Sequence, residues 1–341
     1  AERLLSVEES GHRGDDGVLV GLHRLAGGRL LGSHCGECRS GICSGLVRFP
    51  VQGVDAGLQN PLRVRHGDEP AGGLLVVAVE RFLHRGLGGL LRQRGVEVLA
   101  GTGRLDLPGG VVVAGAEGER RLEGRSIILA TGAVPRSIPG YEIDGRRIVS
   151  SDHALEWAER PGRVAVIGAG AIGCEFASFL SDLGTKVFLF EVLPQVLPGM
   201  EPEAARVLHK ELTARGVEIH VGTAVGPAVA TSDGVVVPYE GGSAAVDVVL
   251  VAVGRAPVTT GVGLEGTRIE VERGFVKVDP ATQQTAEPGI YAVGDIVAGT
   301  PQLAHAGFAE GIAAVTHIAT GKAAPVDYRA VQAIVYTRPE V

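Results

Sequence analysis

The run Arg163-Val164-Ala165-Val166-Ile167-Gly168-Ala169-Gly170-Ala171-Ile172-Gly173-Cys174-Glu175 constrains this chain more than any other segment. A short apolar strand enters a G-x-G-x-x-G turn that opens a helix, and the next apolar strand, Lys186 to Phe190, ends on an acid, Glu191. Each glycine has its own steric task. Gly168 permits the tight strand-to-helix turn, Gly170 removes the side chain that would hold a pyrophosphate off the backbone, and Gly173 lets helix and strand pack closely. Phosphates then sit at the positive end of the helix dipole, facing unpaired N–H groups. Glu191 lies 23 residues past Gly168, where a carboxylate accepts hydrogen bonds from ribose hydroxyls and repels a 2′-phosphate, so NAD is expected over NADP. A glycine-rich turn alone would say little; strand, helix and acid together specify a dinucleotide unit.

Composition narrows the rest. The chain has 341 residues, enough for two or three domains. A net charge of −7 without a long basic block argues against nucleic acid or an anionic membrane as the main partner. No apolar run approaches about 20 residues, and Ala1 to Gly11 lacks the charged-then-apolar order of a secretion signal, so a cytoplasmic protein is expected. Four cysteines in so long a chain make no disulfide scaffold, and any pair among them is expected to be redox-active. Arginine outnumbers lysine 28 to 4, and the first lysine is Lys186.

Before Leu83 there is no sustained period of 2 or 3.6, and Val51 to Gly73 reads as loop. Leu83, Leu87, Leu90 and Leu91 then share a helical face that Gly95 terminates, and Val96 to Leu99, Val111 to Val113 and Ser126 to Leu129 read as strands. Pro202 opens a helix with Ala205, Leu208 and Leu212 on one side and Gly216 at its end. Val217 to Val221, Val235 to Val237, Val246 to Val253, Phe275 to Val278 and Gly289 to Val293 are predicted strands, and a helix is predicted from about Ala304 to Thr320. Alternating strands and helices imply an α/β layer on a parallel sheet. Cys174, on the fingerprint helix, reads as a small core residue.

From about Leu87 to Val341 the chain resembles the flavin-dependent pyridine nucleotide–disulfide oxidoreductases, and within them the branch that oxidises dihydrolipoamide. Four motifs in the family's order carry the likeness: Ile128-Leu129-Ala130-Thr131-Gly132, Gly168 to Glu175, Val253-Gly254-Arg255, and Ala292-Val293-Gly294-Asp295. The resemblance implies an α/β fold of two Rossmann-like dinucleotide-binding domains, an incomplete FAD domain with a complete NAD domain inserted in it. Residues 86–150 would belong to the FAD domain and crossover, 151–272 to the NAD domain, and 273–322 to the returning FAD part. A divergent segment, 1–85, stands in place of the opening FAD half, and 323–341 would start an interface domain.

The implied reaction passes electrons from a dithiol, such as dihydrolipoamide on a 2-oxo acid dehydrogenase complex, through FAD to NAD. Thr131 and Gly132 resemble the crossover turn near FAD, Asp295 after Gly294 the acid that binds the ribityl chain or pyrophosphate, and Gln302, Leu303, Ala304 and His305 the helix start near the flavin ring. Gly254 resembles the glycine on the nicotinamide side, Val225 an adenine contact, and Glu175 a glutamate beside the flavin that the family pairs with a lysine. A transhydrogenase or NADH oxidase without a disulfide, and an inactive NAD-binding remnant, are the alternative readings.

The departures are specific. Residues 1–35 contain no G-x-G-x-x-G for the ADP half of FAD. Cys38 and Cys43 have the family's C-x4-C spacing, but their flanking residues do not match and no lysine is at hand to partner Glu175. A redox pair, a chance cluster and a metal site with Cys35 and His34 all stay open there, and no metal is assigned. The family dimerises through an interface domain carrying a His–Glu pair, which would begin near Val335 to Glu340, where the chain ends. A truncated reading frame whose first 80 or so residues are divergent or frame-shifted is expected on these grounds.

Overall fold

A computed structural model describes residues 86–341 and the backbone of the strand Val18–Leu22. Apart from that strand, the segment expected over residues 1–85, with Cys35, Cys38 and Cys43, lies outside the described residues. Two compact units form: one holds Ala133–Ala256 and Arg329–Val341, the other Leu99–Gly132 and Pro257–Tyr328.

In the first unit, five parallel strands run in the order Glu218–His220, Lys186–Phe190, Arg163–Ile167, Val248–Val251, Ile148–Val149. The central strand pairs Arg163 with Lys186 through Ile167 with Phe190. It is covered on both faces, which is why it reads as an unbroken apolar run. Successive residues divide between the two faces. Val164 and Val166 pack with Cys174, Ala177 and Leu180 of the helix Ala171–Asp182 and with Leu208 and Leu212 of the helix Pro202–Ala214. Ala165 and Ile167 pack with Val235, Val237 and Ala244 of an antiparallel sheet of three strands, Val229–Ala230, Val235–Tyr239 and Gly242–Val246.

In the second unit, Val18–Leu22, Ser126–Ala130 and Ile290–Ala292 form a parallel sheet with Ser126–Ala130 in the middle. Ile128, Tyr291 and Val293 pack with Ala314 of the helix Ala304–Thr320, while Ile127, Leu129, Ile290 and Ala292 point into a second cluster with Leu105, Val262 and Val276. A meander of Thr102–Asp106, Gly110–Gly115 and Gly118–Glu123 completes it. Among the described residues no helix is long and apolar enough to cross a membrane.

Two sequence expectations need correction. Val96 to Leu99 forms no strand; among the described residues after 86, pairing starts at Thr102. The long strand expected over Val246 to Val253 is two strands, ending at Val246 and restarting at Val248. Asp247 between them turns its carboxylate to the Arg163 N–H at 2.8 Å and to the Arg163 guanidinium, which interrupts the run. The expected helix forms over 86–93 and ends before Gly95, at φ +72°, with Leu87 58% and Leu90 46% exposed and Leu91 half-buried.

Candidate functional site

The carboxyl ends of the parallel strands in the first unit gather Gly168, Gly170, Glu191, Val225 and Gly254. Gly168 has φ +98°, and a Cβ there would stand 2.5 Å from the Ala252 carbonyl oxygen of the adjacent strand's exit. Its N–H donates to Phe190 O at 2.8 Å. A Cβ on Gly173 would stand 1.8 Å from Gly168 O, so the helix seats against the turn at a distance only glycine permits. Gly170 differs: a Cβ there would meet nothing within 4 Å. As the N-cap it offers the helix no side-chain acceptor, and the first turn carries no acid. The first-turn N–H groups are thus left for an anion, and the open space at Gly170 is where it can approach.

Glu191 is buried, and both of its oxygens work on the main chain. Oε2 accepts the Ala169 N–H at 2.8 Å and Oε1 the Leu193 N–H at 2.9 Å. A carboxylate has about four lone-pair positions, so acceptor capacity remains for ribose hydroxyls. The following loops are laced together by Glu191 N–H to His220 O (2.9 Å), Gly222 N–H to Leu193 O (2.8 Å) and Thr223 N–H to Glu191 O (2.9 Å). Val225 ends this stretch in an isolated bridge with Tyr239. Gly254, at φ +100°, accepts Arg136 N–H at 3.0 Å. Sequence spacing found the acid but not its two backbone partners, which carry no side-chain signature. The stack of Phe190 on His220, centroids 4.9 Å apart with Tyr239 against both, was equally invisible.

Cys174 is fully buried with its Sγ 3.2 Å from Ala169 O, and burial, with Glu191 and Glu175 nearby, pushes its thiol up to about 12. A thiol so shifted holds its proton and is a poor nucleophile. Iodoacetamide at pH 8 is expected to leave Cys174 unmodified in the folded protein and to modify it in guanidinium chloride, as read by peptide mass mapping. Native modification would contradict its burial.

Glu175 occupies the helix face that meets the chain's last residues. Its Oε1 accepts the Tyr336 N–H at 3.0 Å, Ser178 Oγ accepts the Arg338 N–H at 3.2 Å, and Asp182 pairs with Arg338 and Arg215 at 3.1 and 3.0 Å. Among its described partners, then, Glu175 has a backbone amide. Burial raises the Glu175 pKa, and the Tyr336 amide offsets only part of this. For a carboxylate raised on folding, the folded state holds the proton more tightly, so its contribution to stability falls as pH rises from the unfolded to the folded pKa. The stability gain of Glu175→Gln over wild type should therefore grow from acid toward neutral pH in denaturant titrations; a gain that does not change with pH would refute it.

The second unit holds Thr131, Gly132, Gly294, Asp295, Gln302, Leu303, Ala304 and His305. Thr131 Oγ1 donates to Val258 O at 2.6 Å, and Val258 N–H returns to Gly132 O at 2.9 Å, which pins the crossover turn. Gly132 and Gly294 have φ +70° and +76°, and a Cβ on either would meet open space. Gln302 Nε2 donates to Asp295 O at 3.2 Å. The helix Ala304–Thr320 starts after Leu303 with no side-chain cap and no acid in its first turn, a second bare helix end suited to negative charge.

The profile of the family described as pyridine nucleotide-disulphide oxidoreductase matches residues 57–311. Dihydrolipoyl dehydrogenase 3 of Pseudomonas putida is 39% identical over 267 residues, 76% of this chain and 56% of that protein. The crystal structure of LpdA from Mycobacterium tuberculosis superposes with a TM-score of 0.74 at 31% identity, over 79% of this chain and 60% of that one. The HOCl-induced flavoprotein disulfide reductase RclA of Escherichia coli superposes with a TM-score of 0.67 at 26% identity, over 76% and 60%. The chain thus spans a little over half the length of the curated relatives it matches.

Proposed function

Because this chain belongs to the pyridine nucleotide-disulphide oxidoreductase family, we propose that it carries the nicotinamide and flavin sites of a dihydrolipoyl dehydrogenase, moving electrons from a dithiol through FAD to NAD. The observation that carries the reading is the glycine cradle of Gly168, Gly170 and Gly173 with Glu191 tied to it at the carboxyl edge of a parallel sheet.

Gly170 and the first-turn N–H groups of Ala171–Asp182 would hold the NAD pyrophosphate. Glu191 would bind the ribose hydroxyls and oppose a 2′-phosphate; Val225 would touch the adenine, and Gly254 would leave room for the nicotinamide end. Open positions at Gly132 and Gly294 and the bare helix start at Leu303 fit a flavin whose reduced ring carries negative charge. Thr131, Asp295, Gln302, Ala304 and His305 would line it. FAD, when bound, supplies the two-electron relay between thiolate and nicotinamide. Cys38 and Cys43, by their spacing, would exchange with the dithiol, and Glu175 would stand beside the flavin. A lipoyl-bearing 2-oxo acid dehydrogenase complex is the partner this reading implies, in the cytoplasm, with a homodimeric enzyme. The order of an FAD part over 86–150, an NAD domain over 151–272 and a returning FAD part over 273–322 belongs to the same proposal.

The test is the visible spectrum of the purified chain before and after anaerobic NADH. A bound flavin that bleaches with NADH, and reoxidises slowly once Cys38 and Cys43 are replaced by serine and lipoamide is the acceptor, is the expected result. A colourless protein that still binds NADH would reduce the reading to a nicotinamide-binding domain. Unchanged lipoamide turnover without the cysteines would overturn the dithiol step.

A further inference from the structure

Glu310 is a carboxylate in the middle of the helix Ala304–Thr320 with 0% of its surface exposed. Its neighbours on the helix are small: Ala306, Ala313 and Ala314 are buried with it, and a Cβ on Gly307 would stand 3.2 Å from Gly294 Cα. Gly307 therefore brings the helix against the Gly294–Asp295 turn, and Glu310, one turn further along, reaches the same place. Its Oε2 accepts the Gly294 N–H at 2.5 Å, and its Oε1 accepts the Tyr328 hydroxyl at 2.9 Å. Burial, with the Asp295 carboxylate nearby, pushes Glu310 upward, and its hydrogen bonds offset only part of this.

The Gly294 amide and the Tyr328 hydroxyl are neutral donors, and burying a carboxyl among neutral groups costs several kcal/mol unless hydrogen bonds offset it. A leucine would fill the same space without that cost. What leucine could not do is accept the Gly294 N–H, which sits in a turn at φ +76°. The next residue is Asp295, whose backbone carbonyl is in turn held by Gln302.

We propose that Glu310 is a positioning residue: it fixes the Gly294 amide, and through it the direction in which the turn presents Asp295 to the flavin. The inference rests on the flavin reading above but can be tested apart from it. Hydrogen–deuterium exchange on peptides spanning 290–297 reads the Gly294 amide directly, FAD titration of the apo-protein reads presentation of Asp295, and NADH titration reads the other unit as a control.

Glu310→Ala should speed exchange at Gly294 by about 10-fold or more and weaken FAD by a similar factor, with NADH affinity unchanged within about 2-fold, as the loss of one charge-assisted hydrogen bond implies. Glu310→Gln keeps an acceptor for Gly294 and should restore both readings. Tyr328→Phe removes a donor to the other oxygen and should leave Gly294 protected. Unchanged exchange in Glu310→Ala would overturn the proposal. So would a Gln variant that behaves as Ala does, or an FAD affinity that stays constant while the amide is freed. A wild-type chain that takes up no FAD would remove the flavin reading instead, and exchange at Gly294 would still decide whether Glu310 holds the turn.

Discussion

Gly173→Ala is expected to unseat the fingerprint helix, while Gly170→Ala leaves the fold intact and weakens NADH. The two glycines sit three residues apart in one motif, yet their surroundings are opposite. A methyl on Gly173 would fall 1.8 Å from Gly168 O and 3.4 Å from a Val166 methyl. The first contact is with backbone, so relief requires the helix or the turn to move by more than an ångström. The helix cannot move cheaply, because Cys174, Ala177 and Leu180 on it are at most 2% exposed and are packed on the central strand. Overpacking of this kind costs about 3 kcal/mol, the upper end of the usual range, which for a unit of this size is a fall of roughly 6–12 °C in Tm. A methyl on Gly170 meets nothing within 4 Å, and the residue's φ of −71° suits alanine. Its folding cost should stay within about 1 kcal/mol, the ordinary preference of glycine over alanine at an N-cap. The added carbon would instead occupy the approach to the first-turn N–H groups, and NADH should bind about 10-fold more weakly or worse, a loss of 1.4 kcal/mol or more. Thermal melts and NADH fluorescence titrations of both variants separate the effects. Wild-type NADH affinity in Gly170→Ala would mean that no phosphate lies on this turn; an unshifted melt in Gly173→Ala would mean that the helix is not seated as described.

Elements that announce themselves by punctuation were legible in the sequence. The helix Pro202–Ala214 is legible because proline opens it and Gly216, at φ +87°, follows its end, and the helix Ala304–Thr320 has the predicted bounds. The strand Lys186–Phe190 is legible because its apolar run follows the glycine turn and helix and ends on an acid, Glu191. The meander strand Gly118–Glu123 was missed for the opposite reason. Four of the six residues of GERRLE are charged and almost all are exposed, so no alternation marks it; it is held by pairing with Gly110–Gly115. The site shows the same division. Gly168, Gly170, Gly173 and Glu191 stood out because spacing reflects the geometry of a strand, turn and helix. Glu310 did not, because a glutamate in mid-helix reads as a surface residue, and only the approach of Gly307 to Gly294 turns it inward. The Tyr336 amide on Glu175 was hidden too, since it is a contact across 161 positions made by backbone.

Glu191→Gln, which looks conservative, should prove as disruptive as a loss of function. The two carboxylate oxygens each accept a main-chain N–H, from Ala169 at 2.8 Å and from Leu193 at 2.9 Å. A carboxamide can accept only one of them, and whichever way it turns, its NH2 group faces the other donor. One buried N–H is left unsatisfied, at about 1–3 kcal/mol, and that N–H belongs either to the phosphate turn or to the loop laced to His220 and Gly222. Glu191→Ala leaves both donors unpaired and should cost about twice as much. On the proposed reading structure and selectivity are coupled here, because the group that ties Ala169 in place would also carry the charge that opposes a 2′-phosphate. The Gln variant should therefore lose melting temperature and NADH affinity together, and its preference for NADH over NADPH should fall about 10-fold or more, as removal of a close charge of like sign implies. Melting curves paired with titrations of both nucleotides read the two consequences. A Gln variant that melts like wild type would show that the two N–H groups do not depend on the carboxylate. If its NADH preference were intact as well, selectivity would have to come from the shape of the adenosine pocket rather than from charge.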